Sequence, residues 1–394
     1  MPSPDSPPAA RPDVKVLLGS PAAGRLPVLA GQTPPAGTIL LDLGPDHPSR
    51  AGLVELDLWT DGELITAADV RVGAMHRGVE KLFEVRDYRQ VLMLADRHDW
   101  QAPYNGELTV ALAAEDMLGL EVPPRALWLR TLLAEVTRIS SHAGFLGWLA
   151  RQAPGETFTG ARLAALREEG RQLMRDLTGN RIHPMIIRLG GLAADTPEGW
   201  IEAVVAWAAR ASTLAQVART VAADLPAGVA VINTGQVNAY GLSGPTARGS
   251  GVDADLRRHQ PYLAYGELTI TPDGPTTGDA AARFGQLAVD LINSAQLITD
   301  IGARLETVGG PVGVKLPKII KLPEGETWLN TEAPLGIAGV HLVSRGDKTP
   351  WRLKLRTPSF AQVASLTEVL VGVDLPSLEL ALASLGHVVG DIDR

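Results

Sequence analysis

The chain has 394 residues, 45% of them hydrophobic and 20% charged, which is long and apolar enough to bury a large core. The formal net charge of −8 provides no basic surface for nucleic acid, so we expect no nucleic-acid partner. Cysteine is absent, which excludes disulfides and any iron-sulfur or nickel site ligated by sulfur of this chain. If the protein takes part in redox chemistry, a partner must hold the metal.

The N-terminal part predicts a leader followed by a small antiparallel sheet. Residues 1–37 are rich in Pro, Ala and Gly, which favours a mobile leader around one short strand, Lys15–Leu18. Strand-like runs follow at 38–43 and 52–58. Thr60-Asp61-Gly62-Glu63 then predicts a hairpin turn, because Asp-Gly tolerates a positive φ, and residues 64–72 would form the returning strand.

The rest of the chain predicts a bundle of long helices and a smaller mixed segment. Thr196 followed by Pro197 has the pattern of a helix N-terminus, and Asn233–Asp273 is predicted as a long irregular connection. Helices are predicted at 108–118, 125–149, 161–177, 197–223, 279–308, 360–371 and 376–384, and strands at 339–344 and 351–355. The predicted fold class is therefore α+β, with a central long-helix bundle, a small N-terminal antiparallel sheet and a C-terminal α/β segment.

The stretch from Val72 to Trp100 concentrates ionisable side chains beside an apolar run. It holds two of the eight histidines, and Asp96-Arg97-His98-Asp99 directly follows the apolar residues 91–94. Charges so close to buried surface must be paired, or their ionisation is costly. The stretch is therefore either a salt-bridged structural turn or a functional site.

Taken one at a time, these ionisable residues favour ordinary structural roles. His47 lies in the tight turn Gly44–Pro48, and lone arginines such as Arg77 and Arg97 mostly form weak surface ion pairs. His183 follows a helix end, where the helix dipole stabilises an imidazolium.

Three further charged features favour structure over function. The apolar neighbours of His98 and His142 predict satisfied core histidines, and the charged face of residues 162–176 is predicted to be solvated. The sequence contains no P-loop, HExxH or GxSxG motif. A soluble enzyme acting alone would need a cofactor site that the sequence does not contain.

Taken together, several short motifs resemble the D subunit of the proton-pumping NADH-quinone oxidoreductase, respiratory complex I, in a divergent second copy. They occur in the family's order and with similar spacing from about residue 38 to residue 394. The family is similar to the large subunit of nickel-iron hydrogenases, whose two metal-binding cysteine pairs are absent here. The motifs are Gly44-Pro45-x-His47-Pro48, Met75-His76-Arg77-Gly78-x-Glu80-Lys81-Leu82, Asp96-Arg97-x-Asp99, Glu115–Gly119, Val122–Ala126, Arg181-Ile182-His183, Gly249–Asp253, Pro261-Tyr262, Arg356-x-Pro358-Ser359-Phe360 and Gly390–Arg394.

The resemblance implies one domain at 38–394, divided into a small sheet (38–72), a helical bundle (73–310) and C-terminal strands and helices (311–394). The implied protein is a peripheral subunit on the cytoplasmic side of the cell membrane, without a transmembrane segment. It would pack against the small subunit that carries the last [4Fe-4S] cluster, other peripheral-arm subunits and a membrane-arm subunit. It would bind no cofactor itself and form one wall of a cavity for quinone, the substrate.

The resemblance also assigns residues. Arg77, Arg97 and His183 would lie beside the partner's cluster, where cations stabilise the reduced form and a histidine takes up a coupled proton. His47, Arg97 and His98 are predicted as catalytic residues, with either histidine supplying protons to quinone.

The quinone-facing positions depart from the family pattern. Ala51 replaces a histidine and cannot donate a hydrogen bond, and Trp100 replaces a tyrosine and keeps an N–H donor that does not titrate. Gln152 stands where an aspartate is expected, and an Arg and a Glu are missing near Leu335 and Ile337. These changes leave a second interpretation: a structural paralogue that assembles with the cluster-bearing subunit but has lost quinone reduction.

Overall fold

The computed structural model describes residues 11–19, 37–44 and 46–394. The strands are β1 (Val14–Gly19), β2 (Thr38–Leu41), β3 (Leu53–Asp61), β4 (Leu64–Arg71), β5 (Ile187–Arg188), β6 (Gly191–Leu192), β7 (Glu324–Ala333), β8 (Gly336–Arg345) and β9 (Arg352–Arg356). The helices are α1 (Val79–Phe83), α2 (Tyr88–Ala95), α3 (Pro103–Leu118), α4 (Pro124–Gln152), α5 (Thr157–Thr178), α6 (Trp200–Ala223), α7 (Thr234–Tyr240), α8 (Gly244–Gly249), α9 (Leu256–His259), α10 (Ala280–Leu305), α11 (Pro358–Ala364), α12 (Leu366–Val369), α13 (Leu378–Ser384) and α14 (Val389–Asp393). The α+β class and the long-helix bundle are confirmed.

Helix α4 is the centre of the bundle. Most of its length is buried, because α5, α6 and α10 pack around it. Its buried residues are mostly apolar, and the charged ones among them, such as Arg130, Glu135 and Arg138, pair within the fold. None of the helices within the described ranges is long and apolar enough to cross a membrane.

The N-terminal sheet has the strand order β2-β1-β3-β4. The hairpin β3–β4 turns at Gly62, whose φ is +62°, as predicted. The expectation of a purely antiparallel sheet was wrong, because β1 lies between β2 and β3 and pairs with β2 in parallel. Residues 1–10 and 20–36 of the predicted mobile leader lie outside the described residues.

The C-terminal segment is built on the antiparallel sheet β7-β8-β9, which packs on α3. Strand β7 was not predicted, because its exposed N-terminal half lacks regular apolar alternation. The helix predicted at 360–371 is two short helices, α11 and α12. The region Asn233–Asp273 was predicted as irregular but contains α7, α8 and α9.

Two local predictions fail for identifiable reasons. Helix α6 begins at Trp200, not at Pro197, because Pro197 accepts the Trp200 N–H in a preceding turn and Gly199 caps the helix with φ +73°. His142 is fully buried as predicted, but neither ring nitrogen has a hydrogen-bond partner among the described residues. Burial lowers the pKa of His142 to about 3, so its ring is neutral at neutral pH.

The bundle also buries a network of ionised side chains between α4, α8, α9, α10 and β7. Its arginines and carboxylates pair at 2.6 to 3.9 Å, as the burial of charge requires. The members are Glu135, Arg138, Arg248, Asp255, Arg257, Asp290 and Glu332.

Candidate functional site

The candidate site is a small cavity where the stretch Val72–Trp100 meets the C-terminus. Its volume is about 30 Å³, and we call it the Arg97 cavity. It brings together four residues predicted from the sequence, which come from the loop before α1 and the loop after α2. The lining residues are Met75, Arg77, Val79, Arg97, His98, Trp100, Gly390, Asp393 and Arg394.

The C-terminus holds the loop that carries Arg77. The Asp393 carboxylate accepts the backbone N–H groups of Gly73 and Met75, both at 2.7 Å. His76 donates from Nδ1 to the main-chain oxygen of Asp393 at 2.9 Å. These contacts give the terminal motif a physical role that the sequence did not reveal: it fixes one wall of the cavity.

Two of the three arginines that line the Arg97 cavity, Arg77 and Arg97, remain open to an external ligand or partner. Arg77 is exposed and forms no hydrogen bond or ion pair with any residue in the described ranges. Arg97 is about one-third exposed, with Nε 3.2 Å from Asp96 Oδ1 and Nη2 3.1 Å from Met185 Sδ. A sulfur is a weak acceptor, so most of the Arg97 donor capacity is available.

His183 lies beside Arg97 through Asp96. Its Nδ1 donates to the Asp96 main-chain oxygen at 3.0 Å and lies 3.7 Å from Asp96 Oδ1. Burial and the charge of Arg97 lower the pKa of His183, so the neutral ring is favoured. Burial and Arg97 thus act against the helix dipole, whose stabilisation of an imidazolium here stays a prediction.

A buried carboxyl group supports the loop around His183. Glu107 accepts the backbone N–H groups of Met185 at 2.7 Å and Ile187 at 3.0 Å. Burial raises the pKa of Glu107 to about 8 and that of Asp96 to about 6. Burial therefore favours the protonated form of both carboxyl groups, and Asp96 lies next to the Arg97 guanidinium.

His98 is buried against the C-terminal helix. Its Nδ1 lies 3.0 Å from Asp391 Oδ1, and a Cβ on Gly106 would lie 3.2 Å from its Nε2, which has no hydrogen-bond partner among the described residues. Asp99 accepts the N–H groups of Gln101 and Ala102, and burial together with the charge of Asp391 raises its pKa to about 7. The ionisable side chains of residues 96–99 are thus paired or hydrogen-bonded, as expected for charges next to buried surface.

Trp100 separates the Arg97 cavity from a second cavity. A Cβ on Gly390 would lie 2.7 Å from Trp100 Cζ2, so the glycine is needed for the indole to pack here. The second cavity, of about 50 Å³, lies between the loop after Trp100, α4, α5 and the segment 181–184. We call it the Arg167 cavity.

Sequence reasoning missed Arg167. Residues 162–176 were predicted to be a solvated face, and most of their charged side chains are exposed, but Arg167 turns inward and donates to Gln101 Oε1. Gln101 in turn donates from Nε2 to the Pro48 main-chain oxygen at 3.2 Å. Arg167 therefore lies between Trp100 and the turn that precedes Ala51. No pattern in the sequence around Arg167 predicts this position.

His47 lies outside the Arg97 cavity. Its Nδ1 accepts the N–H of Ser49 at 3.1 Å, and its Nε2 is 3.3 Å from the main-chain oxygen of Ala383. The ring packs edge-on against Phe145 and Trp148. Burial lowers the pKa of His47 to about 3, so the ring is neutral at neutral pH.

The altered family positions are dispersed. Ala51 is exposed at the end of a short turn, and Gln152 is exposed at the end of α4. Leu335 is buried and Ile337 half-buried in the C-terminal segment. None of the four lines the Arg97 cavity.

The described ranges contain no group of three His, Asp or Glu residues arranged to hold a metal ion. With cysteine absent from the whole sequence, the donor set does not fit an iron-sulfur cluster bound by this chain. Positive charge at the Arg97 cavity is offered by Arg77, which is exposed, and by Arg97, which is about one-third exposed.

Comparison with known proteins identifies the class. The family model described as the respiratory-chain NADH dehydrogenase 49 kDa subunit matches residues 157–321 and 314–394. The chain belongs to this family, and it is a subunit of an oxidoreductase complex.

Individual relatives cover nearly the whole chain. The NADH-quinone oxidoreductase D subunit of Streptomyces coelicolor, in its copy numbered 1, is 46% identical over 367 residues, covering 90% of this chain and 95% of its own. The D subunit of the same enzyme from Carboxydothermus hydrogenoformans is 34% identical, covering 90% of this chain and 98% of its own. A chain in the structure of the membrane-bound sulfane sulfur reductase, an archaeal respiratory membrane complex, is similar with a TM-score of 0.81 and 30% identity, over 89% of this chain and 97% of its own.

Proposed function

We propose that this chain is the peripheral-arm subunit of a membrane-associated NADH-quinone oxidoreductase. It would pass electrons from a partner's terminal [4Fe-4S] cluster to quinone, coupled to proton translocation. The observation that carries the proposal is the pair of open arginines, Arg77 and Arg97, with His183 beside Arg97, in a family member whose described residues form no metal-binding group. Family membership supports the reaction class.

The cations would act on the partner's cluster by electrostatics. The cluster supplies the electrons when bound, and Arg77 and Arg97 stabilise its more negative, reduced state. Arg97 also keeps the pKa of His183 low. Negative charge arriving nearby would raise that pKa, so the ring could take up one proton as the electron arrives.

Contacts with quinone would be made by Trp100, supported by the titratable side chains next to it. The Trp100 indole N–H can donate to a quinone oxygen, and His98 with Asp391 and Asp99 forms a buried group of titratable side chains next to it. Ala51 offers only a methyl group. The proton-donating role predicted for His47 stays a prediction, since both of its ring nitrogens have partners within the fold.

The proposed partners follow from the same family. They are the cluster-bearing small subunit, other peripheral-arm subunits and a membrane-arm subunit, on the cytoplasmic side of the cell membrane. The face that carries the Arg97 cavity would contact the cluster-bearing subunit. Within the described residues Arg97 pairs with Asp96 and Arg77 has no carboxylate partner, so a positive charge at this face is left to interact with the partner.

A second candidate is favoured by Ala51 and Trp100, neither of which can deliver a proton. It is a structural paralogue that assembles with the cluster-bearing subunit but lacks quinone reduction. Turnover of quinone by the purified complex separates the two, with Arg97→Ala and His183→Ala as probes and the exposed Arg86→Ala as the matched control. We expect turnover in the wild type and in Arg86→Ala, and slower turnover in both probes; an assembled wild-type complex without turnover would establish the paralogue.

A further inference from the structure

The Arg167 cavity is built around a cation that forms no ion pair of its own, because the two carboxylates that act on its charge, Glu168 and Asp46, are paired with other arginines. Within the described residues, the one hydrogen-bond acceptor of Arg167 is Gln101 Oε1, and Arg167 forms no ion pair. Burial and the neighbouring Arg171 lower the pKa of Arg167 to about 9, which still leaves it charged at neutral pH. A guanidinium group has five N–H donors, and Arg167, which lines the cavity, uses one of them on Gln101.

The fold makes room for this guanidinium. A Cβ on Gly144 of α4 would lie 3.1 Å from Arg167 Cζ and 2.9 Å from Pro48 Cγ. Because glycine stands there, Arg167 and the turn at Pro48 both approach α4 closely. The position of Arg167 therefore depends on packing from three separate parts of the chain.

Among the side chains that line the cavity, arginines outnumber the carboxylates that pair with them. Arg171 and Arg181 line the same cavity and share a single carboxylate, Glu168, at 3.3 Å and 2.6 Å. With Arg167, this leaves two positive charges without a carboxylate partner at the cavity. Such a site favours a ligand that carries or acquires negative charge.

We propose that the Arg167 cavity holds the quinone oxygen that becomes negatively charged during reduction, with Arg167 as its hydrogen-bond donor. This inference rests on the proposed function. The cavity of about 50 Å³ accommodates an oxygen and one or two waters, while the ring would lie against Trp100, which lines both cavities. Arg167 thus provides electrostatic stabilisation where Ala51 and Trp100 provide no titratable proton.

In the overall reaction, quinone takes up two electrons and two protons to give quinol. The electrons come from the partner's cluster, and the protons come from water that reaches the cavity. Before the protons arrive, negative charge accumulates on the oxygen, and the Arg167 guanidinium stabilises it. The oxidised quinone is neutral and gains much less from the same contact.

The test measures reduction of a short-chain quinone by the purified complex, with Arg167→Gln compared with wild type. We expect kcat to fall about tenfold at about pH 8, the scale of one lost charge-assisted hydrogen bond, with KM changed less than about twofold. The deficit should shrink towards about pH 6, because more available protons reduce the need for the cation. A purely structural role would lower activity equally at every pH or act through KM, and either result would overturn the inference.

Two further variants keep the test decisive. Arg175→Gln, exposed on the same helix and paired with Asp176, should behave as wild type. Arg167→Lys keeps the charge and should show the wild-type pH profile at a reduced rate, which supplies the answer if Arg167→Gln fails to assemble; a pH-dependent deficit in Arg167→Lys would contradict the inference. An inactive wild type would refute the proposed function as well, whereas an active wild type with an unaffected Arg167→Gln would refute the inference alone.

Discussion

The imidazole of His183 donates from Nδ1 to the main-chain oxygen of Asp96 at 3.0 Å, across 87 residues of sequence. This contact joins the segment after α5 to the end of α2. Glu107 strengthens the junction from α3 by accepting two N–H groups of the same segment. Three elements of the bundle therefore hold His183 beside Arg97, which fixes the geometry of this pair before any partner binds.

Glu107→Gln should change how stability depends on pH. The pKa of Glu107 is raised from its ordinary value of 4.5 to about 8, so the fold favours the protonated carboxyl. Its contribution to stability is complete below about pH 4.5 and is lost as the pH rises towards 8. We expect the stability of wild type relative to Glu107→Gln to fall over this range, by at most about 1.4 kcal/mol per pH unit.

Thermal unfolding midpoints of the purified complex at several pH values measure this difference, since effects common to both proteins cancel. Glu198→Gln, at an exposed position, serves as the control and should track wild type. A constant difference between wild type and Glu107→Gln from about pH 5 to pH 8 would show that Glu107 is ionised throughout.

Asp393→Asn should loosen the loop that carries Arg77. The carboxylate accepts two backbone N–H groups at 2.7 Å, and hydrogen bonds to a charged group contribute about 1.5 to 3 kcal/mol each before solvent exposure reduces them. Amide hydrogen exchange of residues 73–77 in the assembled complex should accelerate, while exchange in α4 stays unchanged. Equal protection of the loop in both proteins would mean that other contacts hold it.

The double variant Ala51→His, Trp100→Tyr tests whether lost proton donors limit the reaction. Both new side chains titrate, so they would supply protons that the wild-type residues cannot. We expect a higher kcat for quinone reduction than in wild type, with the largest gain at high pH. Unchanged kcat would mean that proton delivery does not limit turnover in this protein.

Periodicity predicted the bundle well because α4 and α10 carry apolar residues at helical spacing over many turns. The pairing of strands that are far apart in the sequence was harder to predict. The parallel contact of β1 with β2 and the strand β7 depend on neighbours that local patterns do not specify. The start of α6 differs from the prediction by a few residues for a local reason, the turn at Pro197 and the cap at Gly199.

The candidate site was predicted in part. Motif resemblance selected Arg77, Arg97, His98 and Trp100, which do share one cavity. Arg167 could not be distinguished from its solvated neighbours, because its environment is created by Gln101 and Gly144 on other elements. The role of Asp393 could not be predicted either, because its carboxylate accepts hydrogen bonds from backbone N–H groups some 320 residues earlier in the chain.

The reduction potential of the partner's [4Fe-4S] cluster, measured by redox titration in the purified complex, tests most directly whether this chain controls that cluster. Removing the positive charge in Arg97→Ala should lower the potential by tens of millivolts, where about 59 mV corresponds to a tenfold change in the one-electron equilibrium. His183→Ala should flatten the dependence of the potential on pH, and Arg86→Ala should match wild type. Identical potentials in all four proteins at every pH would show that Arg97 and His183 do not influence the partner's cluster.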